Sequence, residues 1–564
     1  MRIGPTKLMK ESAIVMSTEQ HYDAIVIGAG VCGIYQIKRL TELGMTATVL
    51  ELGGDLGGTW YWNRYPGCRY DSESYTYGYF FSQELFNEWH WVEAYSPQPE
   101  NLRYLNYVAD KFDLRRHMQF NVRVGSAHWD EKEDLWRLGL DDGRELSCRF
   151  LIMGTGLLSQ PTMPNIDGID DFEGDSYHTY YWPHQEVDLA KRRVAVIGTG
   201  ATAIQVIGEI ADKVGDLKIF QRRANWAAPL NNYKIDDAKM AKLRARYEEI
   251  QADCAKSPGG FEHQPDRRGF WEVGREERIK LWDRLYDEPG FGIWLQNFRE
   301  IFTDEDANAE LSEYIADRIR QRVKDPVTAE KLIPKDHGFG VQRVPLETNY
   351  YEAYNRDNVQ LIDISETPIE RVTTTGIKTS EAEYEFDLII YATGFDAITG
   401  AFDHIDIRGT NGQKLKGKWD SGGIQTYLGI FVHGFPNMLM PAGPQSGSAS
   451  SNYPRGIENG VNWVTALLEY ARARDIKRVE AGAEAEREWT EHVVQMYSMM
   501  LMRKARSWFT GYNSNVVGHE YGNPRYLVYN GGAPKYVRRI DQVASDGYTG
   551  VEMDGVASER AAAS

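Results

Sequence analysis

Two segments of this chain each read as strand, glycine turn, helix and second strand, and that pair restricts the fold more than any other feature. In the first, the apolar run DAIVI (23–27) ends in GAGVCG, residues 31–43 carry apolar side chains at helical spacing, and TATVL (46–50) is a second strand that ends at Glu51. In the second, the apolar stretch after Arg193 runs into GTGATA at 198–203, then a helical stretch, then a strand that closes on Gln221-Arg222-Arg223. A short strand feeding a glycine corner and a helix is a nucleotide-binding β-α-β unit. The expected fold is therefore α/β, with two doubly wound, Rossmann-like domains. At 564 residues the chain exceeds what one core usually holds, in keeping with several lobes that meet at clefts.

The residues of each corner have separate tasks. Gly28 permits the tight turn, Gly30 lets the backbone approach a pyrophosphate, Gly33 allows close helix–strand packing, and the helix N-terminus attracts the phosphates. Glu51, about 20 residues on, stands where a carboxylate accepts hydrogen bonds from ribose hydroxyls; a glycine turn without a ligand is the alternative. In the second unit, Gly198 and Gly200 repeat the corner, but Arg222 and Arg223 replace the acid. A carboxylate there repels a 2′-phosphate and an arginine pairs with it, so this unit is expected to prefer NADPH over NADH; solvated surface charges are the alternative. The unit with Glu51 suits the adenosine half of FAD, and hydride is expected to pass from NADPH to flavin across the inter-lobe cleft.

Between 232 and 335 the pattern changes to charged, helical periodicity, as in AKMAKLRARYEEIQADCAK and SEYIADRIRQRVKDPVTAEKL. The expected division is an N-terminal extension (1–19, disordered, with Met16 an alternative start), a discontinuous FAD domain (20–155 and 392–552), an NADP domain (156–231 and 336–391), a helical insertion (232–335) and a frayed tail (553–564). The apolar run 429–443 is expected to bring the chain back to the first lobe, and 461–474 to form a long helix.

Charge and cysteine content exclude several classes. With 64 Lys and Arg against 82 Asp and Glu, the formal net charge is −18, the opposite of a nucleic-acid-binding footprint and unsuited to docking on anionic membranes. No apolar stretch of about 18 residues suggests a membrane span. The N-terminus lacks the apolar core of a signal peptide, so a soluble, cytoplasmic protein is expected. The four cysteines, Cys32, Cys68, Cys148 and Cys254, form no C-x-x-C pair, which speaks against a zinc knuckle and against a flavin-dependent disulfide reductase.

Residues 172–183, FEGDSYHTYYWP, match the FxGxxxHxxxW[P/D] fingerprint through Phe172, Gly174, His178, Trp182 and Pro183. With GGTWYWNRYPG (57–67), YATGFD (391–396), GFPN (434–437) and SWFTG (507–511), they make the chain resemble type I Baeyer–Villiger monooxygenases from about residue 22 to about 550. The resemblance implies FAD and NADPH as cofactors, O2 as co-substrate, a small-molecule ketone as substrate and no metal. It implies insertion of one oxygen atom beside the carbonyl, through a C4a-peroxyflavin and a Criegee adduct, to give an ester or lactone. N- or S-oxygenating flavin-containing monooxygenases are the alternative; they carry a similar fingerprint but usually lack its Trp-Pro ending. The chemistry needs a cation beside the flavin peroxide anion and a site that excludes water.

By the same resemblance, Arg343 is the active-site arginine and Asp71 the carboxylate that holds it; a structural ion pair and a turn cap are the alternatives. Gly58, Thr59, Trp60, Tyr61, Trp62, Asp71, Tyr77 and Val124 are expected at the FAD site. Arg69, Tyr70 and Asp71 are expected near the nicotinamide end of NADP, and Thr199, Gly200, Ala201, Thr202, Ala203, Ile204 and Gln205 at its pyrophosphate. Trp508 is expected on the nicotinamide nucleotide, with core packing the alternative, and Tyr453 near the flavin ring. His178 is expected to link lobes rather than transfer protons. One departure stands out: the family's lysine before the arginine is Gln342 here, and its Arg-Thr pair is Arg222-Arg223. Arg223 is expected to supply the charge lost at Gln342.

Overall fold

The computed structural model describes residues 20–447, 451–519 and 525–554; the expected N-terminal extension and most of the expected tail lie outside them. The first glycine corner joins β1 (Gln20–Ile27), whose last four residues are buried, to α1 (Val31–Glu42) and β2 (Ala47–Leu50). β1 and β2 run parallel, with Ala24 opposite Ala47 and Ile27 opposite Leu50. β3 (Met118–Gln119) continues the sheet beyond β2. On the other side, β4 (Val124–Asp130), β5 (Leu135–Leu140) and β6 (Glu145–Met153) form an antiparallel meander, and β6 pairs parallel with β1.

The second sheet holds β7 (Asp175–His178), β8 (Arg193–Ile197), β9 (Asp216–Gln221), β10 (Val359–Asp363) and β11 (Leu388–Tyr391), with α2 (Ala201–Ile210) crossing from β8 to β9. All its pairings are parallel, in the order β10-β9-β8-β11-β7. Its central strands read RVAVI and LIIY, continuous apolar runs that suit a strand covered on both faces.

Between β9 and β10 lie helices Asp237–Ala245, Tyr247–Lys256, Arg275–Asp287, Glu305–Arg322 and Pro326–Leu332. Each of the two stretches expected to be helical is divided in two. The first breaks at Arg246 (φ −101°, ψ 12°). The second stops at Val323 and restarts at Pro326, which lacks the N–H an interior position would need and instead opens a new helix; Asp325 Oδ2 accepts the Thr328 N–H at 2.8 Å. The segment also reaches the first lobe, where Tyr247 Oη and Gln251 Nε2 donate to the Phe80 carbonyl at 2.9 and 3.0 Å.

The chain rejoins the first sheet earlier than 429–443. β12 (Asp406–Arg408) pairs with β4, and β13 (Met438–Leu439) then pairs with β6 at Leu151 and Ile152, past the end of β5. α3 (Tyr453–Ala473) packs on α1, with Tyr35 Oη donating to Asn462 Oδ1 at 2.6 Å. It begins at Tyr453 rather than 461 because Pro454 sits in its first turn, where no intrahelical N–H is required. Among the described residues no helix is long and apolar enough to cross a membrane.

Candidate active site

Two cavities open at the carboxyl ends of the parallel strands of the two sheets, where glycine corners leave room for a ligand. Gly28, Gly30, Glu51, Gly58, Thr59, Trp60, Trp62, Tyr77, Val124 and Tyr453 line the first. Gly28 adopts φ +101°, and a Cβ there would lie 2.6 Å from the Gly154 carbonyl oxygen. Gly33 stands outside the cavity, and its role is packing: a Cβ would lie 1.9 Å from the Gly28 carbonyl oxygen. α1 opens on Gly30 with no side-chain cap, so its first amides remain for an anion. Glu51 Oε2 accepts the Ala29 N–H at 2.7 Å and Oε1 the Gly53 N–H at 2.6 Å. Burial raises its pKa against the pull of these amides. Trp62 stacks on Tyr180 at 5.3 Å, and Trp60 Nε1 donates to Tyr77 Oη at 2.6 Å. Open helix amides, glycine walls and a tethered carboxylate fit a dinucleotide.

Tyr61 does not join this wall; its hydroxyl accepts the Gly54 N–H at 3.0 Å and its ring packs on His184. The 154–160 loop after β6 lines the cavity and escaped the sequence reading, although a GTG at the end of a strand-like run is a signal of the same kind as the corners.

Gly198, Thr199, Gly200, Ala201, Thr202, Arg222, Arg223, Gln342 and Trp508 line the second cavity. A Cβ on Gly200 would meet nothing within 4 Å. The side chains of Ala203 and Ile204 are fully buried in the core and face no cavity. Gln205 also lies outside it. Its Nε2 donates to the Arg69 carbonyl at 3.0 Å and its Oε1 accepts from Tyr65 Oη at 2.9 Å, tying the two lobes together. Arg222 donates to Ser514 Oγ at 2.6 Å. Arg223 pairs with Asp336 at 3.2 Å and donates to the Arg506 carbonyl at 2.9 Å. The hydrogen bond from His337, ahead of Arg223, lowers the Asp336 pKa. Arg222, Arg223 and Arg506 together make this cavity an anion site, and its open corner fits a phosphorylated nucleotide.

Arg343, Asp71 and Tyr70 line neither cavity, although Asp71 was expected at the FAD site; their neighbours do. Gln342, next to Arg343, lines the second, and Tyr70, beside Asp71, packs at 4.0 Å on Tyr77 of the first. Arg343 Nη2 donates to Asp71 Oδ1 at 2.5 Å across 272 positions of sequence. Its guanidinium lies 5.3 Å over the Phe291 ring. Burial works against its charge, but Asp71 and Tyr70 outweigh burial and hold the pKa above the usual arginine value. Arg69 lines neither cavity; it bonds Glu93 and the Tyr95 carbonyl, both at 3.1 Å. His178 is buried, its Nδ1 accepts the Tyr180 N–H at 3.1 Å, and burial depresses its pKa to about 4. Enclosed and this weakly basic, the imidazole is poorly suited to take up a proton from a substrate. Among the described residues no side-chain cluster has the make-up of a metal site.

A sequence profile of the pyridine nucleotide-disulphide oxidoreductase family matches residues 25–254. The four cysteines are free and buried, so the match carries no dithiol with it. The chain is 46% identical to 2-oxo-Δ3-4,5,5-trimethylcyclopentenylacetyl-CoA monooxygenase of Pseudomonas putida over 94% of this chain and 98% of that protein. It is 38% identical to a Baeyer–Villiger monooxygenase of Pseudooceanicola batsensis over 95% and 97% of the two chains. A phenazine N-monooxygenase of Lysobacter antibioticus is 35% identical over 95% and 98%. The crystal structure of OTEMO in complex with FAD and NADP superimposes with a TM-score of 0.91, at 45% identity, covering 95% of this chain and 100% of that one.

Proposed function

Because the chain belongs to the family of FAD- and NADPH-dependent Baeyer–Villiger monooxygenases, we propose that it converts a small-molecule ketone into an ester or lactone, with Arg343 and Asp71 at the reacting centre. The balanced reaction takes ketone, O2, NADPH and a proton to ester, NADP+ and water. FAD, when bound, supplies the redox and oxygen-activating chemistry; the chain supplies position, charge and exclusion of water. Gly28, Gly30 and the first amides of α1 would hold the FAD pyrophosphate, and Glu51 its ribose. Thr199 to Thr202 would hold the pyrophosphate of NADPH, and Arg222 and Arg223 its 2′-phosphate. Trp508 would contact the nicotinamide nucleotide and Tyr453 the flavin.

The observation that carries the reading is the Arg343–Asp71 bond of 2.5 Å, made by an arginine next to Gln342 of the second cavity. A permanent cation, fixed by a carboxylate and shielded by Phe291, stabilises negative oxygen as it develops and needs no reorganisation to do so.

The test is to incubate FAD-loaded enzyme with NADPH, ¹⁸O2 and a panel of acetone, cyclopentanone and cyclohexanone, alongside phenazine and a sulfide. One ¹⁸O atom in an ester or lactone is the expected result. Label found only in an N-oxide or S-oxide would overturn the ketone assignment in favour of a heteroatom oxygenase, a reading that the resemblance to the phenazine enzyme keeps in view.

A further inference from the structure

Glu73 lies two residues beyond Asp71 and takes the N-cap position of the short helix Ser74–Tyr77, yet its side chain caps nothing there. Here it turns to the helical insertion instead: Glu73 Oε1 lies 2.7 Å from His263 Nε2, 190 positions away, and accepts from Tyr95 Oη at 3.2 Å. The His263 and Glu73 side chains are 11% and 7% exposed, so water screens the pair little. Ser257 Oγ donates to the His263 carbonyl at 2.9 Å and fixes that loop.

The same part of the insertion supports the arginine. Phe261 packs at 5.5 Å on Phe291, whose ring lies under Arg343. Gly290 sits so close to Tyr95 and Glu73 that a Cβ there would lie 2.1 Å from the Tyr95 hydroxyl and 3.2 Å from Glu73 Oε1. The path is closed. Asp71 holds Arg343, Phe291 backs it, Phe261 joins Phe291 to the His263 loop, and His263 returns to Glu73, two residues along the same loop segment as Asp71.

We propose that His263 and Glu73 are a positioning pair: they lock the 71–73 segment and the Phe261–Phe291 support together, and so hold the Arg343 guanidinium in place for oxygen chemistry. The proposal rests on Arg343 having the role given above. With the pair broken, Arg343 loosens, and O2 and NADPH are spent as hydrogen peroxide (O2, NADPH and a proton giving H2O2 and NADP+).

Glu73 of the first lobe and Glu262 and Gln296 of the insertion face His263, while Tyr75 and Tyr95 lie beside Glu73; Glu262 is itself paired with Arg246 at 3.0 Å. Burial opposes protonation of His263, and the two carboxylates outweigh it and raise its pKa. The sign follows. The charged pair is at full strength below the ordinary histidine range and is lost as pH rises through the raised value.

The test needs no ketone. FAD-loaded wild type, His263→Gln and Glu73→Gln are fed NADPH in aerated buffer, and peroxide release is followed against pH. Peroxide release should rise several-fold in either variant, with the NADPH KM within about twofold of wild type. In wild type the release should climb through an inflection above the ordinary histidine range, and His263→Gln should lack that inflection. Histidine ring NMR of the wild type and Glu73→Gln should show one imidazole whose titration lies above the ordinary histidine range only when Glu73 is present. Wild-type peroxide release in His263→Gln, the same inflection in both proteins, or no such imidazole would overturn the proposal. If peroxide and NMR behave as expected but no ketone is oxygenated, the positioning pair stands and the ketone assignment falls.

Discussion

Arg343 and Glu51 show how far a single position reveals its purpose. Glu51 follows a glycine corner at the distance a ribose requires, and its two backbone amide partners lie within the same unit. Arg343 and Asp71 are separated by 272 positions, so no spacing rule pairs them; they were paired through family resemblance, and the 2.5 Å bond supplies the physical content. Glu73 and His263 had no such guide and went unnoticed. Arg343→Ala should lower ester formation by about 10²- to 10³-fold, the usual loss on removing one electrostatic stabiliser, while peroxide release continues. Gas chromatography of the ester beside a peroxide assay checks this, and equal loss of both would point to misfolding instead. Arg223 lines the second cavity and pairs with Asp336 at 3.2 Å, the place from which it would supply the charge that Gln342 lacks. Arg223→Thr should lower the NADPH-to-NADH preference in kcat/KM about tenfold or more, and an unchanged ratio would remove Arg223 from that role.

The helix and strand patterns were read best where chemistry is local. The two corners, their strands and their helices follow from glycine and from period, and they appear with ends shifted by a few residues. The breaks at Arg246 and before Pro326 were missed because periodicity continues across them; Pro326 was the available warning. β12 is three residues long, too short to show alternation, so within the 392–552 stretch only the apolar run at 429–443 stood out as a point of return. Two glycines predict opposite outcomes. Gly28→Ala joins a positive φ of +101° to a contact of 2.6 Å with backbone, so it should destabilise the fold by roughly 2–4 kcal/mol and yield flavin-poor protein. Gly200→Ala meets nothing within 4 Å, so the melting temperature should stay within about 2 °C of wild type while the NADPH KM rises. Thermal melting and the flavin-to-protein absorbance ratio separate the two.

Across the molecule, stability should depend on pH through His178, which ends the edge strand β7 of the second sheet. Burial lowers its folded pKa from 6.5 to about 4. Above 6.5 neither the folded nor the unfolded form is protonated, and nothing is lost. As pH falls from 6.5 toward 4 the unfolded chain binds a proton that the folded one refuses, which costs roughly 3 kcal/mol at the lower end. His178→Asn should flatten that part of the melting-temperature profile; an unchanged slope would assign acid sensitivity elsewhere. The first sheet has a consequence for synthesis. β6 leaves the ribosome with Met153, but the strand that covers its Leu151 and Ile152 arrives only with Met438 and Leu439. At 5–20 residues per second that interval is on the order of 15–60 s. Throughout it the nascent chain presents an apolar, unpaired edge of its oldest sheet to every neighbouring polypeptide. Translation speed over the intervening codons, and chaperone cover during it, should therefore govern how much of this protein reaches the native state in a cell.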